Sequence, residues 1–452
     1  MTKHPTPANN TRIGFHYFPD TLHYRDSDLN AWLPELKALG AKWLTLVAPQ
    51  DRAIPESFIR GIIDAGIEPV LHFHLTMKSL PRADSLSLLF QVYADWGVQY
   101  VALFNRPNCH SQWSDDKWVQ QDLVERFLDI YIPLCETVCH AGLTSVFPPL
   151  EPGGDFWDTA FLRTSLQSLV RRGHQRLLDR LVLGAYAWAE NLPLNWGAGG
   201  PERWPGARPY YTPPEEEDHK GFRIFDWYTT ISEAVLEEKL PILLLAAGVR
   251  PGDQRDLNVP AVDAEEHANR NLILARHLAG DIETIHDDIR LEPIPEHVLA
   301  GNFWLLAAAQ NSPEAEASWY KVNGTTLPIV QKIKDWVSGL GEGQQQSYDN
   351  PPRQNHRANH KKNKPIKHYL LLPAYEWGVA NWHLEITRPF IKKHMPTVGF
   401  SMQEASTAEK VTIVGGEQSF PPEEVEQLRA VGCLVEQVSG DGTSIATQLD
   451  KL

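Results

Sequence analysis

One unit recurs along most of this chain: a short apolar stretch, a loop, an amphipathic segment, a glycine, then the next apolar stretch. Ile13 to Phe18 leads to Leu29–Leu39 and Gly40. Trp43 to Val47 leads to Ser57–Ala65, with Ile59, Ile62 and Ile63 on one face, and then Gly66. Glu68 to Leu75 and Gln99 to Phe104 are followed by segments that close at Gly97 and near Gly142. Leu143–Phe147, Leu181–Trp188, Ile242–Ala246 and Val298–Leu306 continue the series, and a last amphipathic run reaches about Leu340. A glycine just past an amphipathic run is a helix stop, so each unit reads as strand, loop and helix. Strict strand–helix alternation implies parallel strands joined by helical crossovers. Eight such units predict a closed (β/α)8 TIM barrel, a fold that tolerates long insertions between its elements. An open doubly wound sheet is the alternative. It calls for a glycine-rich loop after its first strand, where this chain has His16-Tyr17-Phe18-Pro19-Asp20.

The remaining sequence sets the domain plan. The barrel is expected over residues 11–340. Residues 341–367 open with Gly-Glu-Gly-Gln-Gln-Gln and go on through polar and basic residues, a composition expected of a flexible linker. Its basic residues (Arg353, Arg357, Lys361, Lys362, Lys364, Lys367) suit either a solvated tether or contact with an anionic polymer. Residues 368–452 carry apolar stretches at His368–Leu372, Val411–Val414 and Leu434–Val438 between helical segments. They read as a small parallel-sheet α/β domain of flavodoxin-like type.

Composition removes several function classes. Of 452 residues, 22% are charged and 42% hydrophobic, which fits a folded chain and not a disordered one. The net charge of −15 argues against nucleic acid as a partner. No apolar run is long enough for a membrane span. The cysteines Cys109, Cys135, Cys139 and Cys433 contain no CxxC pair, so neither a disulfide framework nor a zinc site is expected. The N-terminal Met1-Thr2-Lys3-His4-Pro5 lacks the apolar core of a secretion signal, which predicts a cytoplasmic protein, or a cell-surface one if a leader has been removed.

In a barrel of this kind, chemistry sits at the C-terminal strand ends and the loops after them. The third strand ends His72-Phe73-His74. With His16 of the first strand these are candidate ligand contacts or, in a weaker alternative, the donors of a metal-dependent hydrolase. The fourth ends Asn105-Arg106-Pro107-Asn108, followed by Trp113; the sixth ends Tyr186-Ala187-Trp188; the eighth carries Asn302 and Trp304. The insertion after the sixth strand, Glu190 to Gly221, holds Trp196, Trp204, Tyr210 and Tyr211 interleaved with Arg203 and Arg208. That set suits either stacking on sugar rings or packing an ordered loop. A second insertion, Val249 to Asp263, follows the seventh strand.

The order of elements, the Asn105-Arg106-Pro107-Asn108 signature, the aromatic end Ala185-Tyr186-Ala187-Trp188 and Asn302-Phe303-Trp304 with Trp319 together resemble the clan A retaining glycosidase barrels, nearest to the xylosidase and exopolysaccharide-hydrolase families. The resemblance implies a carbohydrate ligand, no cofactor and two catalytic glutamates: an acid/base within Asn-Glu-Pro on strand four and a nucleophile within Glu-x-Gly on strand seven, about 5–5.5 Å apart. At those places stand Arg106 and Ala246. Arginine does not release a proton near neutral pH and alanine has no nucleophile. Gly184 also replaces the histidine frequent on the family's sixth strand. The expectation is a glycosidase-like barrel without the retaining chemistry that binds a carbohydrate at its mouth, with Arg106 favouring an anionic one. An active glycosidase using the displaced carboxylates Glu151 and Glu190 is the alternative; Asp155, Asp158 and Asp226 are further acids near the mouth.

In the small domain, Lys410–Glu417 with its Gly415-Gly416 pair, Val431–Glu436 and Thr443–Thr447 resemble the type 2 cell-wall-binding repeat. That resemblance implies contact with a cell-wall or other anionic polymer.

Overall fold

The computed structural model describes residues 4–80, 83–281, 285–286, 289–345, 364, 366–373, 381–416 and 419–451. Its internal contacts divide the chain into two compact units, Met1–Asn350 and Pro351–Leu452.

The first unit is a (β/α)8 TIM barrel. Its strands are β1 (Ile13–His16), β2 (Trp43–Val47), β3 (Glu68–Phe73), β4 (Tyr100–Leu103), β5 (Thr144–Phe147), β6 (Val182–Trp188), β7 (Ile242–Gly248) and β8 (Val298–Phe303). All neighbouring pairs are parallel, and β1 closes the ring by pairing with both β2 and β8. The crossover helices are α1 (Asp26–Ala38), α2 (Glu56–Asp64), α3 (Ala83–Asp95), α4 (Leu123–His140), α5 (Asp158–Arg171), α6 (Ile224–Leu236), α7 (Ala264–Leu278) and α8 (Pro328–Gln345). The expected glycine stops are in place; Gly40 and Gly66 follow α1 and α2 with φ of 70° and 77°, a left-handed turn that a side chain would strain.

Alternation along each strand sorts the core. Phe15, Leu71, Phe73, Leu103, Phe147 and Phe303 point outward and bury the apolar stripes of the helices. Trp43, Val70, Tyr100, Val146, Val182, Leu243, Leu245 and Leu299 fill the lumen, topped by Tyr186 and Ala246 with Trp188 and Trp304 packed on them. One irregularity breaks the period: β6 and β7 shift register between Ala185 and Tyr186, so that Tyr186 pairs with Ala246. The slip places Leu245 and Ala246 together among the lumen residues.

The boundaries expected from sequence move by a few residues. β7 runs on to Gly248, past Ala246, and β8 stops at Phe303, short of Leu306. The linker expected at 341–367 is shorter at both ends: α8 continues to Gln345 and the next strand begins at Ile366. Arg353, Arg357, Lys361 and Lys362 lie outside the described residues. Lys364 is no free tether cation, for its Nζ donates to the Ala408 carbonyl at 3.0 Å and sits 2.8 Å from Cys433 Sγ.

The second unit is a four-stranded parallel sheet of β9 (Ile366–Leu371), β10 (Thr397–Gly399), β11 (Ala408–Val414) and β12 (Leu434–Val438) in the order β10-β9-β11-β12. That order begins as the flavodoxin-like one does. β10 was not expected from sequence, because three residues carry no measurable alternation. Gly415 and Gly416 end β11 as anticipated, while Glu417 lies outside the described residues.

Gly14 is where closure leaves least room. A Cβ there would stand 2.3 Å from Asn302 Oδ1 and 2.8 Å from Trp43 Cβ, both held inside the lumen. Gly14→Ala is therefore expected to destabilise the barrel by about 1–3 kcal/mol through overpacking. Thermal denaturation checks this, and a melting temperature within a degree of the parent would contradict it.

Candidate functional site

At the C-terminal end of the barrel a cavity of about 600 Å³ opens between the strand ends. Tyr186, Trp188 and Trp304 form its aromatic wall; Asn105, Arg106 and Glu151 form the β4–β5 side; His16 and His74 line it from β1 and the β3 end; Glu190, Arg250 and Glu314 come from loops. The aromatic wall is a packed set. The Tyr186 and Trp188 rings are 5.8 Å apart, and Trp188 meets Trp304 edge-on at 6.0 Å. Trp304 in turn lies 4.5 Å from the His16 ring.

The end of β4 is shaped by backbone strain. Phe104 and Arg106 both adopt left-handed conformations, with φ of 68° and 53°. Such turns cost non-glycine residues about 1–2 kcal/mol each and persist where neighbours fix them. Here Phe104 N donates to Phe73 O at 2.9 Å and Arg106 N to Pro149 O at 2.9 Å. The turn aims the Phe104 carbonyl at His72 Nε2, 2.8 Å away, and sends the Arg106 side chain into the mouth. Its guanidinium meets Glu151 Oε2 at 3.1 Å and lies 5.8 Å from the Tyr186 ring centre. Tyr186 donates its hydroxyl to Asn105 Oδ1 at 2.7 Å. Arg106 and Ala246 thus belong to one mouth, linked through Tyr186.

The histidines form a neutral chain. Because His72 Nε2 faces a carbonyl, that nitrogen carries the proton and Nδ1 accepts; His74 Nε2, 3.2 Å from His72 Nδ1, then donates. Desolvation pushes the His16 imidazole down to about 3, with His72 adding to the shift, and pushes His72 down to about 4. His74 is driven well below the usual imidazole range by burial first, then by His72, His16 and Arg106. Both ring nitrogens of His72 are engaged, which leaves none for a metal. Among the described residues no three His, Cys, Asp or Glu side chains converge as a metal site.

Some expected site residues make contacts elsewhere and do not line this cavity. Asn108 is fully buried and clamps the β5 loop, donating to Glu151 O and Phe156 O and accepting from Glu151 N, each at 2.9 Å. Trp113 is buried, donates to Pro107 O at 2.7 Å and does not line the cavity. Trp204 donates to Ala198 O at 2.9 Å within its own loop, and Trp196 to Asp218 Oδ1 at 3.0 Å, so these indoles hold the insertion together. Arg203 pairs with Glu292, and Arg208 donates to the Pro205 and Ala207 carbonyls. Asp155 accepts from His110 N; Asp158 is buried against His219, Tyr228 and Gly153 N; Asp226 pairs with Arg223.

Glu190 is different. It follows β6 with φ of 48°, lines the mouth and has a buried Oε2 without a hydrogen-bond partner; Arg255 Nε stands 3.9 Å off. Burial, reinforced by Asp253, raises its carboxyl above the ordinary glutamate value against the pull of Arg255, Arg250 and Lys220. Sequence alone did not single out Arg250, Asp20 or Glu314. Arg250 lies 4.5 Å from the Trp188 ring and pairs with Asp253 at 3.0 Å, a placement set by how the β7 loop folds back. Its only sequence signal was two residues' distance from the end of β7.

No family model matches the chain, and no curated protein matches it. Among solved structures it is similar to a family 39 glycoside hydrolase from the gut symbiont Bacteroides cellulosilyticus WH2, at 13% identity over 75% of this chain and 66% of that one, with a TM-score of 0.46. It is similar to Bacteroides uniformis β-glucuronidase 2 at 11% identity, over 80% of this chain and 38% of that one, TM-score 0.44. Xylanase 10B from Thermotoga maritima is 13% identical over 74% of this chain and 97% of that one, TM-score 0.42. The chain spans about two thirds of the first of these and well under half of the second.

The histidine chain has a consequence for stability. The unfolded chain takes up a proton on each imidazole near pH 6.5, whereas the fold resists until about 4 at His72. Between those values the unfolded state binds more protons, so stability is full above pH 6.5 and declines as the pH falls toward 4. Thermal denaturation across this window should show the decline, and His72→Gln should flatten it by on the order of 1–3 kcal/mol. An identical pH slope in the variant would refute the shift.

Proposed function

We propose that the barrel mouth binds a carbohydrate without hydrolysing it. The observation that carries this is one cavity holding the Tyr186–Trp188–Trp304 wall together with Arg106 at the end of β4, with Ala246 buried beside Tyr186 as its register partner on β7. Flat aromatic faces bordered by Asn105, Glu190 and His74 suit sugar rings, whose C–H faces stack while their hydroxyls exchange hydrogen bonds at the edges. A guanidinium tied to Glu151 donates no proton to a leaving group, and a methyl group attacks nothing.

A second reading has one observation in its favour. Glu190 and Glu151 line the same cavity, and burial raises the Glu190 carboxyl above the ordinary glutamate range, as a proton-donating acid needs. The two readings part on turnover. With aryl-glycoside and polysaccharide panels we expect saturable binding and no hydrolysis above that of Glu190→Gln; hydrolysis that Glu190→Gln abolishes would establish the enzyme. Trp188→Ala should weaken binding by at least tenfold, in line with about 1–3 kcal/mol for a lost stacking face. Unchanged affinity would remove the mouth as the binding site.

A further inference from the structure

The charges around the mouth do not balance. Four carboxylates line it, Asp20, Glu151, Glu190 and Glu314, against two guanidiniums, Arg106 and Arg250. Both guanidiniums are already neutralised, Arg106 by Glu151 at 3.1 Å and Arg250 by Asp253 at 3.0 Å. Arg106 was expected to favour an anionic ligand; paired in this way it offers little net positive charge. Asp20 has His23 at 2.8 Å. Glu314 accepts from the neutral indole of Trp304 at 3.1 Å. Glu190 Oε2 is buried with no hydrogen-bond partner, and its nearest guanidinium, on Arg255, is held by Asp218. His16 and His74 contribute no positive charge, since both imidazoles are held neutral.

A second, independent feature points to a polar occupant. His16 is 1% exposed, lines the cavity, and its Nδ1 has no hydrogen-bond partner. A buried, unsatisfied ring nitrogen costs free energy that a ligand hydroxyl or amine recovers. Indole faces beside carboxylates that outnumber the guanidiniums favour a cation, which gains from the ring quadrupole and the negative charge together.

We propose that the saccharide bound here carries a primary ammonium, as de-N-acetylated amino sugars do, and that Glu190 receives that ammonium beside the Trp188 and Trp304 indoles, with Glu314 as the second acid. The proposal rests on the carbohydrate reading above and goes beyond it by naming the sugar class.

The test is calorimetric titration of the full chain, at physiological ionic strength, with three oligosaccharides of matched length: glucosamine, N-acetylglucosamine and galacturonate. The glucosamine oligomer should bind at least tenfold more tightly than the acetylated one, and the galacturonate most weakly. Glu190→Gln should cut the glucosamine affinity at least tenfold and collapse the preference; Glu314→Gln, as a second variant, should reduce it in part. Equal affinities, a galacturonate preference, or a glucosamine preference that both variants leave intact would overturn the proposal alone, the last showing only general attraction to a chain of net charge −15. Binding to none of the three would overturn the carbohydrate reading with it.

Discussion

A closed eight-strand barrel encloses a fixed volume, and every large side chain in its lumen has to be matched by a small one opposite. The top of this lumen is crowded by Tyr186 and Trp188 from β6 and Trp304 after β8. The matching small residues are Ala246 on β7 and Gly14 on β1, where Asn302 occupies the space a Cβ would take. Ala246 is the volume complement of Tyr186, its register partner. A larger side chain at that position would have to displace part of the aromatic wall, so the wall and the small residue beside it are two sides of one packing solution.

The same economy governs the charges. Arg106 stands among residues that cannot share its charge by protonation, because His72 and His74 are locked neutral by a carbonyl and by each other. Glu151 is its one ionic partner in the mouth, and Asn108 fixes the backbone of that partner with two hydrogen bonds and ties it to Phe156 O with a third. The left-handed turns at Phe104 and Arg106 belong to this arrangement, since the first points a carbonyl at His72 and the second directs the guanidinium outward. Strain, neutral histidines and the ion pair form a single connected unit at the β3–β4–β5 edge.

Much of the barrel was legible because its signal is periodic. Apolar strands, amphipathic helices and glycine stops repeat, and each repeat supports its neighbours' assignment. Positions on strand ends carried over for the same reason: Asn105, Arg106, Tyr186, Trp188 and Trp304 all line the mouth. Residues on loops did not behave so regularly. Trp113 and Trp204 look no different in sequence from Trp304, yet the first two donate to nearby carbonyls and do not line the mouth. Arg250 became visible only once the β7 loop had folded back onto Trp188. α8 runs on through Gly341-Glu342-Gly343 to Gln345, where composition alone argued for a loop.

The insertion after β6 carries a polar network of its own. A loop of this length over a barrel usually needs a core of its own, and the one after β6 has it: Asp218 gathers Trp196, Thr212 and Arg255, while Asp158 gathers His219 and Tyr228. These buried carboxylates draw the insertion's aromatic and cationic groups onto themselves, so the loop is held by its own network. Glu190, at the root of that insertion, shares Arg255 with Asp218: the guanidinium is held by Asp218 and its Nε stands 3.9 Å from Glu190 Oε2, which has no hydrogen-bond partner.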